Sequence, residues 1–519
     1  MIIRSTMENL HRAPPAAGQI ARASRTAWLC AGAAMLIFLL LTIAQALTQS
    51  PWMDEGMFAD VAFSFRNFGH LGSSVLDPYG YQELPGVHQY TYWQFPLYFI
   101  ALGTWLRIVP ATVVWMRLFS AAWGMMYLAA WFVLVRALGR RDSLALLVTS
   151  LLALDYAFLV TASNGRMDMM CAALGMAALA SYFWFRDSNW SLGLILAAFF
   201  GSASLFSHPM GAVMNVAIAA MVLLDWRRIR WGAVAAASVP YLIGLACCLY
   251  YIHLAPELFR AQSKAASEYR VSGIGPVLRN IFNDAGERYL HYYFTAYSGI
   301  SKSKIAALLF PSVGLVGLLA DRSLRSQLIA KRLLLLLVVA YVGVAVVDNQ
   351  KFGNYLVFSL PIATACATLW LYARWQDGGG RRLAASCLLA VSVTATLAGI
   401  AYKISRNEYR RLYDPAMAAA RAALPPGGTL MGGSELGFAF GFGPPLVDDR
   451  YLGFFSGKLP EVIVINDHYG PMRSSVRLTS AWEASRVTLR DRYHLVFANK
   501  MYSVYVRNDV MPSSAKAIN

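Results

Sequence analysis

Runs of about twenty apolar residues recur along this chain, and no other feature constrains its fold as strongly. Ala27–Leu47 is one such run, and Leu333–Val347 with its flanks is another. The hydrocarbon core of a bilayer is about 30 Å thick, so a spanning helix needs roughly 20 apolar residues. Only helices and closed barrels satisfy their backbone in that medium, and runs of this length are helical. Composition agrees. The 519 residues are 57% hydrophobic and only 14% charged, with a mean hydropathy of +0.46, against about 25% charged for an ordinary soluble domain. Spans are expected near 27–47, 95–108, 118–137, 143–160, 168–185, 190–206, 209–225, 231–251, 304–320, 333–348, 354–373 and 384–401. Segment 95–108 is short for a full span. If it only dips into the membrane, eleven spans remain and the termini lie on opposite sides.

The net charge of +17 raises nucleic acid as a partner, but its distribution argues against one. Basic residues cluster between apolar runs. With the N-terminus inside and eleven spans, the inner loops hold Arg136, Arg140 and Arg141; Arg186; Arg227, Arg228 and Arg230; Arg322, Arg325, Lys331 and Arg332; and Arg374, Arg381 and Arg382. Every cluster then obeys the positive-inside rule. The loop 252–303 also carries cations, but long loops follow that rule less strictly. Arg4, Arg12, Arg22 and Arg25 precede the first apolar run, which has no small-residue cleavage site, so it reads as a retained span. The six cysteines all lie in or beside apolar stretches, with neither metal-ligand spacing nor a disulfide framework.

The expected fold is therefore a polytopic α-helical membrane protein of about eleven spans, with juxtamembrane helices on its outer face. Residues 1–26 form an inner N-terminal segment and 27–401 the membrane domain, with outer loops 48–94 and 252–303. From about 402 the pattern changes to a helix over Pro415–Leu424, a Pro-Pro-Gly-Gly turn, and β-type runs at Glu461–Ile465, His494–Ala498 and Ser503–Arg507. That reads as a small outer α/β domain over 402–519.

Charges at span ends cost free energy and need a reason. Asp54 and Glu55 follow the first span, Arg166 and Asp168 sit between two others, His208 lies at a third turn and Lys351 at a fourth. All fall on the outer side. Each has a plain alternative: solvated loop acids, a local ion pair at a helix start, a turn histidine before proline, an interfacial lysine. Together they suit one chemistry. A carboxylate can take a proton from a hydroxyl, and cations can hold a lipid phosphate.

The segment Met53-Asp54-Glu55-Gly56-Met57-Phe58-Ala59-Asp60-Val61-Ala62 resembles the first outer loop of the GT-C glycosyltransferases. The likeness is to the branch with the protein O-mannosyltransferases and the lipid A aminoarabinose transferases, whose hallmark is an Asp-Glu pair after the first span. Tyr92-Trp93-Gln94-Phe95-Pro96-Leu97-Tyr98 resembles the family's aromatic, Pro-rich segment before the next helix. Arg117 resembles its Arg at a span start, and Lys351, Tyr355, Leu356 and Pro361 its late Lys…Tyr-Leu…Pro motif. The resemblance covers about 27–401. Two departures stand out. Where the aminoarabinose transferases carry a Lys before their Pro pair, this chain has Gln94, and His208-Pro209 replaces their Lys-Gly.

The resemblance implies an inverting, single-displacement transfer of a sugar from a polyprenyl-phosphate donor. The acceptor is a hydroxyl or phosphate on a glycolipid, glycan or protein, at the periplasmic face of a bacterial inner membrane. It makes Asp54 the general base toward a hydroxyl, with Glu55 positioning acceptor, base or metal. Arg117, Arg166, Asp168, His208, Lys351 and Tyr355 become donor-phosphate or substrate-binding residues. No cofactor is required, and a divalent cation is left open, since some relatives use one. The absence of a dinucleotide glycine fingerprint and of a P-loop fits a lipid donor. Two other readings compete: an oligosaccharide polymerase or ligase, and a lipid or sugar transporter. A transporter would show paired broken helices and internal symmetry, which the sequence lacks.

Overall fold

The computed structural model describes residues 24–81, 84–267, 274–292, 301–348, 351–467, 469 and 476–510. The expected inner segment 1–26 lies almost wholly outside these. Among the described residues, seven helices are long and apolar enough to cross a membrane, so the chain is a multi-pass membrane protein. They are α1 (Arg25–Thr48), α4 (Val113–Gly139), α7 (Met167–Phe185), α8 (Trp190–Ser207), α10 (Trp231–Leu254), α14 (Leu328–Val347) and the helix that opens at Gly379. Shorter apolar helices accompany them: α3 (Pro96–Ile108), α9 (Gly211–Leu224) and α13 (Ser301–Ala320). The last spanning helix, α16 (Gly379–Arg406), follows α15 (Leu360–Asp377).

Two expected spans differ in detail. Segment 143–160 is two helices, α5 (Asp142–Ala153) and α6 (Tyr156–Ala162), bent by 64°. Asp155 is the cause. Its carboxylate accepts from the Phe158 backbone N–H at 2.9 Å, so it starts a new helix as an N-cap rather than continuing the old one. Segment 354–373 opens as a 3₁₀ turn over Gly353–Phe358, and α15 starts afterwards with Pro361 in its first turn, where a missing N–H costs nothing.

Helix α2 (Met53–Phe68) leaves α1 after four residues and ends on Gly69 in the left-handed region (φ 76°). Helices α11 (Pro256–Ser267) and α12 (Ile274–Asp284) lie in the loop after α10. Beyond α16 come α17 (Asp414–Ala423), α18 (Val476–Arg492) and a five-stranded sheet. Its strands are β1 (Leu430–Gly432), β2 (Leu446–Val447), β3 (Val462–Asn466), β4 (Tyr493–Ala498) and β5 (Tyr502–Arg507), in the order β2-β1-β3-β5-β4. β2, β1 and β3 are parallel; β5 and β4 complete the sheet antiparallel. β1, β2 and α18 are elements the sequence pattern did not announce. The sheet also reaches the first outer loop, where Leu76 bridges to Asp448 beside β2.

Candidate functional site

The first turn of α2 places its two acids in different surroundings. Trp52 is the N-cap residue, and the Glu55 side chain reaches back to its N–H at 2.9 Å, which is half of a capping box. That turns Glu55 inward, where it is 1% exposed. Arg117, also 1% exposed, meets it with Nε to Oε1 at 2.8 Å and Nη2 to Oε2 at 2.7 Å. The Gly165 N–H adds a fourth bond at 2.8 Å. Burial pushes the Glu55 carboxyl up, but Arg117 and the two backbone donors outweigh it and hold it below its ordinary range.

Arg117 is equally committed. A guanidinium has five N–H donors. Two go to Glu55, two to the carbonyls of Ala46 and Gln49 at 2.7 and 2.8 Å, and one to Ser50 at 3.0 Å. The expectation that Arg117 binds substrate therefore gives way to a different placement. It ties the end of α1 to the start of α2 and keeps no donor for a phosphate.

Asp54 turns the other way. Its side chain is 28% exposed and pairs with Nη1 of Arg166. Arg166, just ahead of α7, also donates from Nε to Asp168 at 2.8 Å, and its guanidinium lies over the rings of Trp52 and Phe58 at 5.0 and 5.6 Å. The two aromatic faces hold it in place between the carboxylates. Asp168 is fully buried, and among the described residues its Oδ1 has no hydrogen-bond partner. His208 Nε2 faces it at 4.0 Å. Since His208 Nδ1 accepts from the Met210 N–H at 3.1 Å, the ring proton belongs on Nε2, toward Asp168. The Tyr355 ring lies 5.5 Å from the His208 ring. Asp54, Arg166, Asp168, His208 and Tyr355 thus form one group drawn from four turns far apart in sequence.

Lys351 belongs to a neighbouring group. It sits in the left-handed region (φ 60°) and donates to Asp284 at 2.6 Å. Arg288, four residues after Asp284, is fully buried and bonds both Asp284 and Asp348, the latter at 2.7 Å. Tyr355 joins the groups, since the charges of Asp168, Arg166, Asp348 and Asp54 all act on its phenol. With histidine neutral, the first group carries two carboxylates to one cation and the second two to two. An entering phosphate must therefore compete for Arg166 or Lys351 rather than find a free cation.

Several participants escaped the sequence reading. Asp284 and Arg288 had a signal, an i,i+4 acid–base pair in an outer amphipathic segment. The Gly165 N–H and the Trp52 and Phe58 faces had none, because they depend on chain crossings. The segment before α3 also stands out. Thr91 Oγ1, Trp93 Nε1 and Gln94 Oε1 are buried without partners among the described residues, and the Trp93 ring stacks on Phe58 at 5.6 Å. Among the described residues no three His, Cys, Asp or Glu side chains gather as metal ligands.

No family model and no curated protein matches the sequence. Solved structures do. ArnT from Cupriavidus metallidurans bound to undecaprenyl phosphate matches with a TM-score of 0.59 at 14% identity, over 94% of this chain and 99% of that one. The same protein in the apo state gives 0.55 at 13%, over 94% and 100%. The Archaeoglobus fulgidus oligosaccharyltransferase tethered with an acceptor peptide gives 0.51 at 11%, over 91% of this chain and 69% of that one. The chain shares the fold of these proteins.

Proposed function

We propose that this protein is an inverting membrane glycosyltransferase. It moves a sugar from a polyprenyl-phosphate donor to a hydroxyl or phosphate acceptor on an envelope glycolipid, glycan or protein. The site faces the periplasm of a bacterial inner membrane, with the N-terminus in the cytoplasm and the C-terminus outside. The observation that carries the reading is the split of the Asp54–Glu55 pair. Glu55 is locked to Arg117 and backbone donors, whereas Asp54 is part-exposed and, among the described residues, held by Arg166 alone. A fold match to a protein bound to undecaprenyl phosphate supports the donor class.

In this mechanism the donor phosphate takes up Arg166 and frees the Asp54 carboxylate. The acceptor oxygen attacks the anomeric carbon as Asp54 takes its proton. The carbon–oxygen bond to the phosphate breaks, its electron pair leaving with the polyprenyl phosphate. Arg166, Tyr355 and the Lys351–Arg288 group stabilise that developing charge, which is where preorganised donors contribute most. Asp168 and His208 hold Arg166 and Tyr355 in place. Arg117 and Glu55 position the first turn of α2. A polymerase or ligase would use the same site on a longer donor.

The test is purified protein in bilayer discs with undecaprenyl-phosphate sugars, read by mass spectrometry. Transfer to a hydroxyl or phosphate acceptor supports the reading. Transbilayer movement of intact donor with no new glycosidic bond would make the protein a transporter instead.

A further inference from the structure

The C-terminal sheet touches the helix that carries Asp54. Gly56, two residues after Asp54, lies so close to the turn Gly433–Leu436 that a Cβ there would stand 2.1 Å from the Glu435 backbone nitrogen. Other contacts tie the same two parts. Ser50 and Tyr502 share a hydrogen bond at 3.0 Å. The Asp448 carboxylate accepts from the Ser434 N–H at 2.8 Å and from Tyr81 and Tyr469, each at 3.2 Å. Asp60 of α2 is fully buried and accepts from Ser73 and from the Ser74 N–H of the loop that bridges to Asp448.

Glu435 sits at the centre of this joint and is 1% exposed. Asn466 donates to its Oε1, while Oε2 has no partner among the described residues. A buried carboxylate with an unbonded oxygen is costly, and protonation reduces that cost.

We propose that Glu435 is a positioning residue for Asp54: in its neutral form it keeps the Gly433–Leu436 turn seated behind the first turn of α2. The proposal rests on the reading of Asp54 as the base. The groups facing Glu435 are Asp448 and Arg450 from the segment after β2, Asn466 of β3, Tyr502 of β5 and Tyr413 before α17. Burial, with Asp448 adding to it, pushes the carboxyl from an ordinary 4.5 to about 7. Burial does the same for Asp60, also to about 7. A raised carboxyl favours the folded joint fully below the unfolded value. That contribution is lost as pH rises through the folded value. The seat is therefore firm in acid and loosens above about pH 7.

The experiment compares wild type, Glu435→Gln and Glu435→Ala as full chains in bilayer discs. Gln fixes the neutral shape. The ratio of transfer rate at pH 8 to that at pH 6 is expected to be several-fold higher in Glu435→Gln than in wild type. Glu435→Ala is expected to lower kcat about tenfold with KM for the donor lipid little changed, and to speed amide exchange over 53–60. Equal pH ratios for wild type and Gln, or exchange over 53–60 that Ala leaves unmoved, overturn the proposal. Exchange needs no turnover, so it decides the positioning role even where transfer is absent and the glycosyltransferase reading itself fails.

Discussion

At the residue scale, the two adjacent acids are placed differently and call for different tests. A hydroxyl is a poor nucleophile until its proton is taken, and a positioned base is worth about 10²–10⁴ in rate. Asp54→Asn keeps the shape and an acceptor oxygen but not the basicity. With a hydroxyl acceptor, transfer is expected to fall at least about 10²-fold with the donor still bound. A phosphate acceptor is already ionised and would show a much smaller loss, so the size of the effect reports the acceptor class. Transfer to a hydroxyl at the wild-type rate would remove Asp54 as base. Arg117 is a matter of stability instead. Lysine offers three donors from one point and cannot replace a fork that serves Glu55 and three carbonyls. Breaking a buried ion pair costs about 3–5 kcal/mol. Arg117→Lys is expected to lower the melting temperature and the folded yield in detergent. A variant as stable as wild type but slow in transfer would instead place Arg117 at the substrate. Sequence marked Asp54 and Glu55 as candidates, because charges beside apolar runs are conspicuous, and Arg117 through the family resemblance. It did not show which acid faces inward, because that depends on Gly165 and Arg117, 110 and 62 residues from Glu55.

At the scale of elements, most helices were legible and their joints were not. Apolar periodicity marks a span whatever surrounds it, so the limits of α1, α7 and α8 follow from the sequence. The break at Asp155 depends on one side chain bonding the Phe158 N–H, a choice that apolar pattern alone cannot reveal. The strands β1 and β2, three and two residues long, carry too few side chains for any alternation to show. Gly56 is the clearest case of a joint hidden from the sequence. It lies in the first turn of a helix, and helix propensity alone favours alanine there by up to about 1 kcal/mol. The fold reverses the sign, because the added methyl would overlap backbone of the Gly433–Leu436 turn, which cannot swing aside as a flexible side chain would. Overpacking of this kind costs typically about 1–3 kcal/mol. Gly56→Ala is expected to destabilise the joint and depress transfer together. Raised stability in a thermal melt would show that the turn is free to move away from α2.

At the scale of the whole molecule, the charges meet in two separate sets, and the proposed orientation rests on them. The basic loops form contacts with one another across the bundle. Arg140 and Arg228 both reach Asp187, at 3.3 and 3.0 Å, Arg186 and Arg332 approach Asp225, and Arg374 pairs with Asp321 at 2.6 Å. The candidate site gathers a different set of turns. Helix α4 carries a marker of each: Arg117 near its start holds Glu55, and Arg136 near its end pairs with Asp142. Nineteen residues of helix span about 28 Å at roughly 1.5 Å per residue, close to the thickness of a bilayer core. The two sets of charges therefore lie on opposite membrane faces. In the orientation proposed above, the positive-inside rule makes the Arg-rich set the cytoplasmic one. A reporter fused after residue 380, beside Arg381 and Arg382, is expected to read cytoplasmic, and one fused at the C-terminus periplasmic, with only α16 to cross between them. Glycosylation-site or alkaline phosphatase fusions at both points check this. Both reporters on one side would mean that α16 does not cross. The sheet that packs behind Gly56 would then lie on the wrong side of the membrane for the site it is proposed to support, and the periplasmic donor reading would fail with it.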